Sequence, residues 1–240
     1  MSLIRLDGVF NVRDVGGIPA GGGAIREGRL LRSGNLVAAT PAAVAELERR
    51  VSHIVDLRDD QEVASAPSAT TEIATTHLPL FLGSVASFFE DDMSLDEMYL
   101  QLLAESGERL VDAIRIIARG EPTLVHCTVG KDRTGVTIAL ALSAVGADRE
   151  AIITDYALTA SMLPPERNRR IIAFLEVQHP EAKHAVALAT QSPADVMRRL
   201  LDEVDARWGS AAGYLEANGM TDAELEALRR ALVDGSAVHR

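Results

Sequence analysis

Cys127 is the only cysteine in a chain of 240 residues, and Arg133 follows it by six positions. The run around them reads His126-Cys127-Thr128-Val129-Gly130-Lys131-Asp132-Arg133-Thr134-Gly135. Thr123-Leu124-Val125 before it is strand-like, and 136–145 after it reads as a buried helix. A cysteine that ends a strand, followed by a short loop and a helix start, is suited to nucleophilic attack on a phosphate ester. A thiol attacks as its thiolate, which a helix N-terminus favours. The unpaired N–H groups there, from Thr128 to Lys131, can also curl into a nest for phosphate oxygens. The planar fork of Arg133 matches two such oxygens, which a lysine cannot do. Gly130 permits positive φ or close backbone approach. Thr134 is placed to donate its hydroxyl to the Cys127 sulfur, His126 to orient the loop through a ring nitrogen, and Gly135 to let the helix pack tightly on the strand. Phosphoryl transfer of this kind needs placement and charge stabilisation, and calls for no metal and no cofactor.

A lone cysteine is more often a small buried hydrophobe. Arginine at one fixed offset from it occurs by chance in about one chain in fifteen at typical usage. The spacing alone is therefore weak. The agreement of strand, His-Cys, central Gly, Arg-Thr-Gly and buried helix decides for chemistry. A single cysteine also excludes an internal disulfide and a multi-cysteine zinc site. After oxidation its rescue is a sulfenamide or an external thiol.

The run HCTVGKDRTG resembles the signature of the cysteine-dependent protein tyrosine phosphatase superfamily. Further segments resemble its bacterial family with GKDR in the loop. Asn11-Val12-Arg13-Asp14-Val15-Gly16-Gly17 is similar to an NFRDLGG block, and Arg32-Ser33-Gly34 to an RSG block. Val55-Asp56-Leu57-Arg58 is similar to a DLR block, and Asp155-Tyr156-Ala157-Leu158-Thr159 to a DYxLT block. Trp208-Gly209-Ser210, Tyr214-Leu215 and 219–228 resemble the family's tail, with Trp208 where Tyr is usual. The likeness runs in order along nearly the whole chain. It implies a phosphatase of phosphotyrosine, with phosphoserine, phosphothreonine or phosphoinositides as further substrates, working through a phosphocysteine on Cys127. The alternatives are a noncatalytic phosphate-binding module, disfavoured because Cys127 and Arg133 are both present, and a phosphoinositide-specific lipid phosphatase.

The resemblance also assigns roles. Asp132, inside the loop, is the expected general acid, with Asp91 or Asp92 as runner-up on an acidic loop about 35 residues earlier. Lys131 is the substrate clue, since phosphoinositide phosphatases carry a lysine here that can meet a second phosphate. A plain salt-bridged lysine is the equal alternative. Arg13, Asp14, Asp56 and Arg58 are expected to brace the site. The segment 160–205 is either a pair of ordinary core helices or a helical lid over the site.

These residues need a scaffold. Helices are expected over 40–50, 59–64, 94–119, 148–159, 165–178, 193–208 and 221–233, with capping boxes at Ser94/Glu97 and Thr221/Glu224. Strands are expected at 30–32, 53–57, 73–78 and 123–125. Alternating strands and helices imply an α/β fold, a mostly parallel central sheet flanked by helices, with an all-helical C-terminal portion. The chain is expected to form one phosphatase domain over 1–240. Net charge is −11, from 35 acidic and 24 basic residues, which argues against nucleic-acid binding. With no signal pattern and no long apolar run, a cytoplasmic protein without an integral membrane segment is expected, signal-less export being the alternative. Oligomeric state is not legible.

Overall fold

The computed structural model describes residues 1–69, 72–80 and 92–235. A six-stranded sheet runs through it. β1 (Ser2–Leu3), β2 (Arg13–Asp14) and β5 (Leu30–Ser33) pair antiparallel, while β5, β8 (Thr123–His126), β6 (His53–Asp56) and β7 (Ala74–His77) are parallel. The order is β1-β2-β5-β8-β6-β7, and β3 (Pro19–Ala20) with β4 (Gly23–Ala24) makes a separate hairpin. The sheet is thus mostly parallel with helices on both faces, as expected. β8 lies at its centre, with His126 in register with Ser33 on one side and Asp56 on the other. Its four residues are buried, as suits a strand covered on both faces.

One face carries α1 (Pro41–Arg50), started by Thr40 as N-cap with proline at the first position, and a core of Leu31, Leu36, Leu47, Ile54 and Leu124. The other carries the larger core, around α5 (Asp132–Ala144), whose residues Arg133 to Leu142 are all buried. The short α2 (Asp60–Ser65) follows β6. The single helix expected over 94–119 is two: α3 (Leu95–Glu105) and α4 (Gly107–Ala118). The break falls at Ser106, and a Cβ at Gly107 would lie 1.9 Å from Asn218 Oδ1, so the Asn218 side chain packs closely over this glycine.

Beyond residue 148 the described chain is helical. α6 (Arg149–Met162) is followed by α7 (Pro165–Gln178), α8 (Ala185–Thr190), α9 (Ala194–Trp208), α10 (Ala211–Ala217) and α11 (Asp222–Leu232). α7 and α8 share a small apolar cluster of their own, with Leu175, Ala185 and Ala189 buried in it.

Candidate active site

Between the end of β8 and the start of α5, the segment from Cys127 to Lys131 crosses the carboxyl edge of the sheet. This is where α/β sheets place ligands. The helix begins at Asp132, earlier than the sequence suggested, so Asp132 and Arg133 stand on its first turn. An aspartate there complements the helix dipole. Cys127 is 2 % exposed, and the Gly130 N–H donates to its Sγ at 3.2 Å. The loop's carbonyls are held from outside. Asn35 Nδ2 donates to Thr128 O at 2.9 Å, and Asn11 Nδ2 to Val129 O at 3.0 Å and Gly130 O at 2.9 Å. Arg32 Nη2 also donates to Gly130 O, at 2.7 Å. Pulling these carbonyls outward turns the following N–H groups inward, which builds the nest. Gly130 has φ +70°, and a Cβ there would lie 2.1 Å from Ser33 O. Only glycine fits this position.

Arg133 is gripped by a residue that sequence reasoning did not assign to the site. Its Nη1 donates to Glu62 Oε2 at 2.6 Å and its Nη2 to Glu62 Oε1 at 2.9 Å. Nη2 also reaches Thr128 Oγ1 at 3.2 Å, and the Thr128 hydroxyl donates to Glu62 Oε1. Nη1 also lies 3.3 Å from Leu57 O, so each Nη has two acceptors, and among the described residues Nε alone makes no hydrogen bond. Burial alone would raise the Glu62 carboxyl, but Arg133 holds it down at about 2. Burial works against the Arg133 charge too, and Glu62 and Cys127 outweigh it. Glu62 also accepts from Asp59 N at 2.9 Å, in a capping box that starts α2. That Asp-x-x-Glu spacing was the available signal.

Asp132 Oδ1 accepts from the Tyr99 hydroxyl at 2.8 Å, and Tyr99 in turn lies 2.7 Å from the Tyr156 hydroxyl. Asp132 bonds neither Arg13 nor Arg58. Lys131 is 1 % exposed, with Nζ 3.4 Å from Asp132 Oδ1. Its ammonium donates to the carbonyls of Leu188 and Gln191 at the end of α8, the latter at 2.8 Å. Burial lowers the Lys131 pKa, and Asp132 partly restores it. This lysine is neither a surface salt bridge nor turned out toward a second phosphate.

The bracing residues divide. Arg13 Nε donates to Asp155 Oδ1 at 2.7 Å and Arg32 Nη1 to Asp155 Oδ2 at 2.5 Å, all three buried. Burial opposes the Asp155 charge, and the two arginines keep its carboxyl below the usual range. Arg13 also donates to Asn11 Oδ1, so this cluster stands directly behind the loop. Asp14 does not join it. It accepts from Gly16 N at 2.8 Å and Gly28 N at 2.6 Å, fixing the turn-rich N-terminal segment instead. Asp56 and Arg58 pair with each other at 2.6 Å, and Arg58 reaches on to Ala66 O at 2.7 Å. Asp56 Oδ2 lies 3.6 Å from His126 Nε2, beyond hydrogen-bond reach. His126 Nδ1 lies 3.2 Å from Cys127 O, and burial lowers the ring's pKa. Thr134 Oγ1 is buried without a hydrogen-bond partner, so it does not bond Cys127 in this structure as expected. Gly135 packs against α6: a Cβ there would lie 3.0 Å from Tyr156 Cδ2. Asp92 accepts from His184 N at 2.7 Å, and Asp91 lies outside the described residues. No group of His, Cys, Asp and Glu among the described residues could hold a metal ion.

The sequence pattern of the tyrosine phosphatase family matches residues 4–234. The chain belongs to that family. It is a cysteine-based protein tyrosine phosphatase, a hydrolase of phosphorylated substrates. The triple specificity protein phosphatase PtpB of Mycobacterium tuberculosis is 28 % identical over 97 % of this chain and 100 % of its own length. The tyrosine-protein phosphatase candidate H16_A0669 of Cupriavidus necator is 30 % identical over 88 % of this chain and 82 % of its own. The crystal structure of P. aeruginosa TpbA aligns at 21 % identity over 84 % of each chain, with a TM-score of 0.30. No helix among the described residues of this phosphatase is long and apolar enough to cross a membrane.

Proposed function

We propose that this phosphatase hydrolyses phosphotyrosine monoesters through a phosphocysteine on Cys127, with a range that extends to phosphoserine, phosphothreonine and phosphoinositides. The observation that carries the mechanism is the nest itself: Cys127 Sγ 3.2 Å from Gly130 N–H, with Asp132 and Arg133 on the helix turn that follows. In the first step the thiolate attacks phosphorus, the ester P–O bond breaks, and Asp132 gives its proton to the leaving oxygen. In the second, water attacks the phosphocysteine and gives a proton to the Asp132 carboxylate. The P–S bond breaks and orthophosphate leaves. Arg133 and the loop N–H groups hold the equatorial oxygens in both steps.

The breadth of the range is supported by the name of PtpB. Lys131 would meet a second phosphate only after leaving the carbonyls of Leu188 and Gln191. The segment 160–205 acts as a lid within one phosphatase domain. Support comes from the small apolar cluster that α7 and α8 share and from a nucleophile only 2 % exposed, while Leu188 and Val196 to Val204 anchor the segment to the main core. The cytoplasm is the proposed compartment.

The test is hydrolysis of p-nitrophenyl phosphate by the wild type and Cys127→Ser, then a phosphotyrosine peptide, a phosphoserine peptide and a phosphoinositide side by side. Vanadate-sensitive turnover lost in Cys127→Ser is expected, with the tyrosine peptide fastest. A wild type without such turnover sinks the mechanism, and turnover of the tyrosine peptide alone removes the wider range.

A further inference from the structure

Asp132 is touched by a buried pair of phenols from two other elements. Tyr99 on α3 donates to Asp132 Oδ1 at 2.8 Å, and its oxygen lies 2.7 Å from that of Tyr156 on α6. A phenol has one proton to give. With the Tyr99 proton committed to Asp132, the proton between the two phenols comes from Tyr156. Donation therefore runs from Tyr156 to Tyr99 to Asp132. Each tyrosine is 1 % exposed, and the rings meet edge to face with centroids 6.0 Å apart. Burial first, then the Asp132 charge, raises the pKa of both phenols, so Tyr99 stays a donor across the working pH range. The chain has three tyrosines, and the third, Tyr214, donates to Leu103 O instead.

We infer that Tyr99, backed by Tyr156, is the positioning residue that aims Asp132 and stabilises its carboxylate, and thereby sets how well the enzyme handles poor leaving groups. This rests on the reading of Asp132 as the general acid. A Tyr99 proton on Oδ1 leaves Oδ2 to carry the proton for the leaving oxygen. As that proton departs, Asp132 becomes a carboxylate and the Tyr99 bond becomes charge-assisted, roughly twice as strong as a neutral one. An interaction that strengthens along the reaction accelerates it, whereas one that is constant does not. The effect is largest where the leaving group needs the proton most. Other charged groups face Asp132: Lys131 beside it, Arg133 on the same turn, and Arg167 on α7. All three are cations that remain in a phenylalanine variant, so such a variant reports the phenol alone.

The experiment compares full-length wild type, Tyr99→Phe, Tyr156→Phe, Asp132→Asn and Tyr99→Phe/Asp132→Asn. The substrates are p-nitrophenyl phosphate, with a good leaving group, and phenyl phosphate, with a poor one. Tyr99→Phe should lower kcat on phenyl phosphate about tenfold, the size of one hydrogen bond to a charged group, and change p-nitrophenyl phosphate less than about twofold. Tyr156→Phe should give the same pattern at about a third of the size, as expected for a group one bond removed. In the Asp132→Asn background, Tyr99→Phe should add nothing. Equal slowing of both substrates, or an added loss in that background, overturns the inference. If Tyr99→Phe does not fold, Tyr156→Phe decides by the same leaving-group contrast. If Asp132→Asn itself shows no such contrast, the acid assignment falls and the inference with it. If Asp132→Asn shows it and the phenol variants do not, only the inference falls.

Discussion

Glu62 limits what Arg133 can do. A free arginine on a helix turn samples many rotamers, and ordering one costs up to about 2 kcal/mol. Glu62 holds both Nη atoms, so the guanidinium is already ordered. Removing one partner of a buried pair typically costs about 3–5 kcal/mol. Glu62 is still 19 % exposed, so about 2–3 kcal/mol is expected for Glu62→Ala, read by urea unfolding. Glu62→Ala combined with Arg133→Met should cost less than the two single losses added, because the second change removes the stranded charge. Simple additivity would show that the pair does not act as a unit. At this scale the sequence exposed Cys127 and Arg133, since six positions within one loop bring them together by local geometry. It did not assign Glu62 to the site, because 71 residues separate it from Arg133.

Among the elements, capping signals were the most legible. The boxes at Ser94/Glu97 and Thr221/Glu224 are both formed, each an N-cap hydroxyl answered by the glutamate three residues on. The third box, Asp59/Glu62, starts α2 and at the same time brings a carboxylate to Arg133. The break of 94–119 at Ser106 was hidden, since the partner packed over Gly107 is Asn218, from a distant part of the chain. Lys131 links the loop to α8 through two carbonyls that the helix end leaves without intrahelical partners. Lys131→Met should therefore loosen α8. Amide hydrogen exchange over 185–191 should speed up by about tenfold, the size of one charged hydrogen bond, while exchange in α5 stays unchanged. Unaltered protection over 185–191 would mean the lysine does not hold the helix.

Across the whole molecule, stability should depend on acid in a direction set by the buried groups. Arg133 keeps Glu62 at about 2 despite its burial. Asp155 is likewise held low by Arg32 and Arg13, and Asp56 by Arg58. Unfolded carboxylates titrate at about 4, so the native state binds these protons less readily than the unfolded chain. Their contribution is complete above about pH 5 and is lost as pH falls toward about 2. His126, lowered by burial, adds a loss of the same sign that begins near its unfolded value of about 6.5. Thermal melts should thus show a shallow fall in Tm below about pH 6.5 and a steeper one below about pH 4. A Tm that stays level from neutral pH to pH 3 would contradict the buried ion network as a source of stability.

The sequence by itself determined the loop's cysteine and arginine, the glycine that the loop requires, the alternation that makes an α/β sheet, and the family. Each is written in spacings of a few residues or in periodic burial, which local backbone geometry converts directly into structure. Only the tertiary structure decided the partners of the chemical groups. Glu62 meets Arg133 across 71 residues, Lys131 meets Leu188 across 57, and Tyr99 meets Asp132 across 33. Such meetings depend on where whole elements pack against the sheet edge, and no local pattern encodes them. The packing around the loop from Cys127 to Arg133 decides how each of its side chains is held.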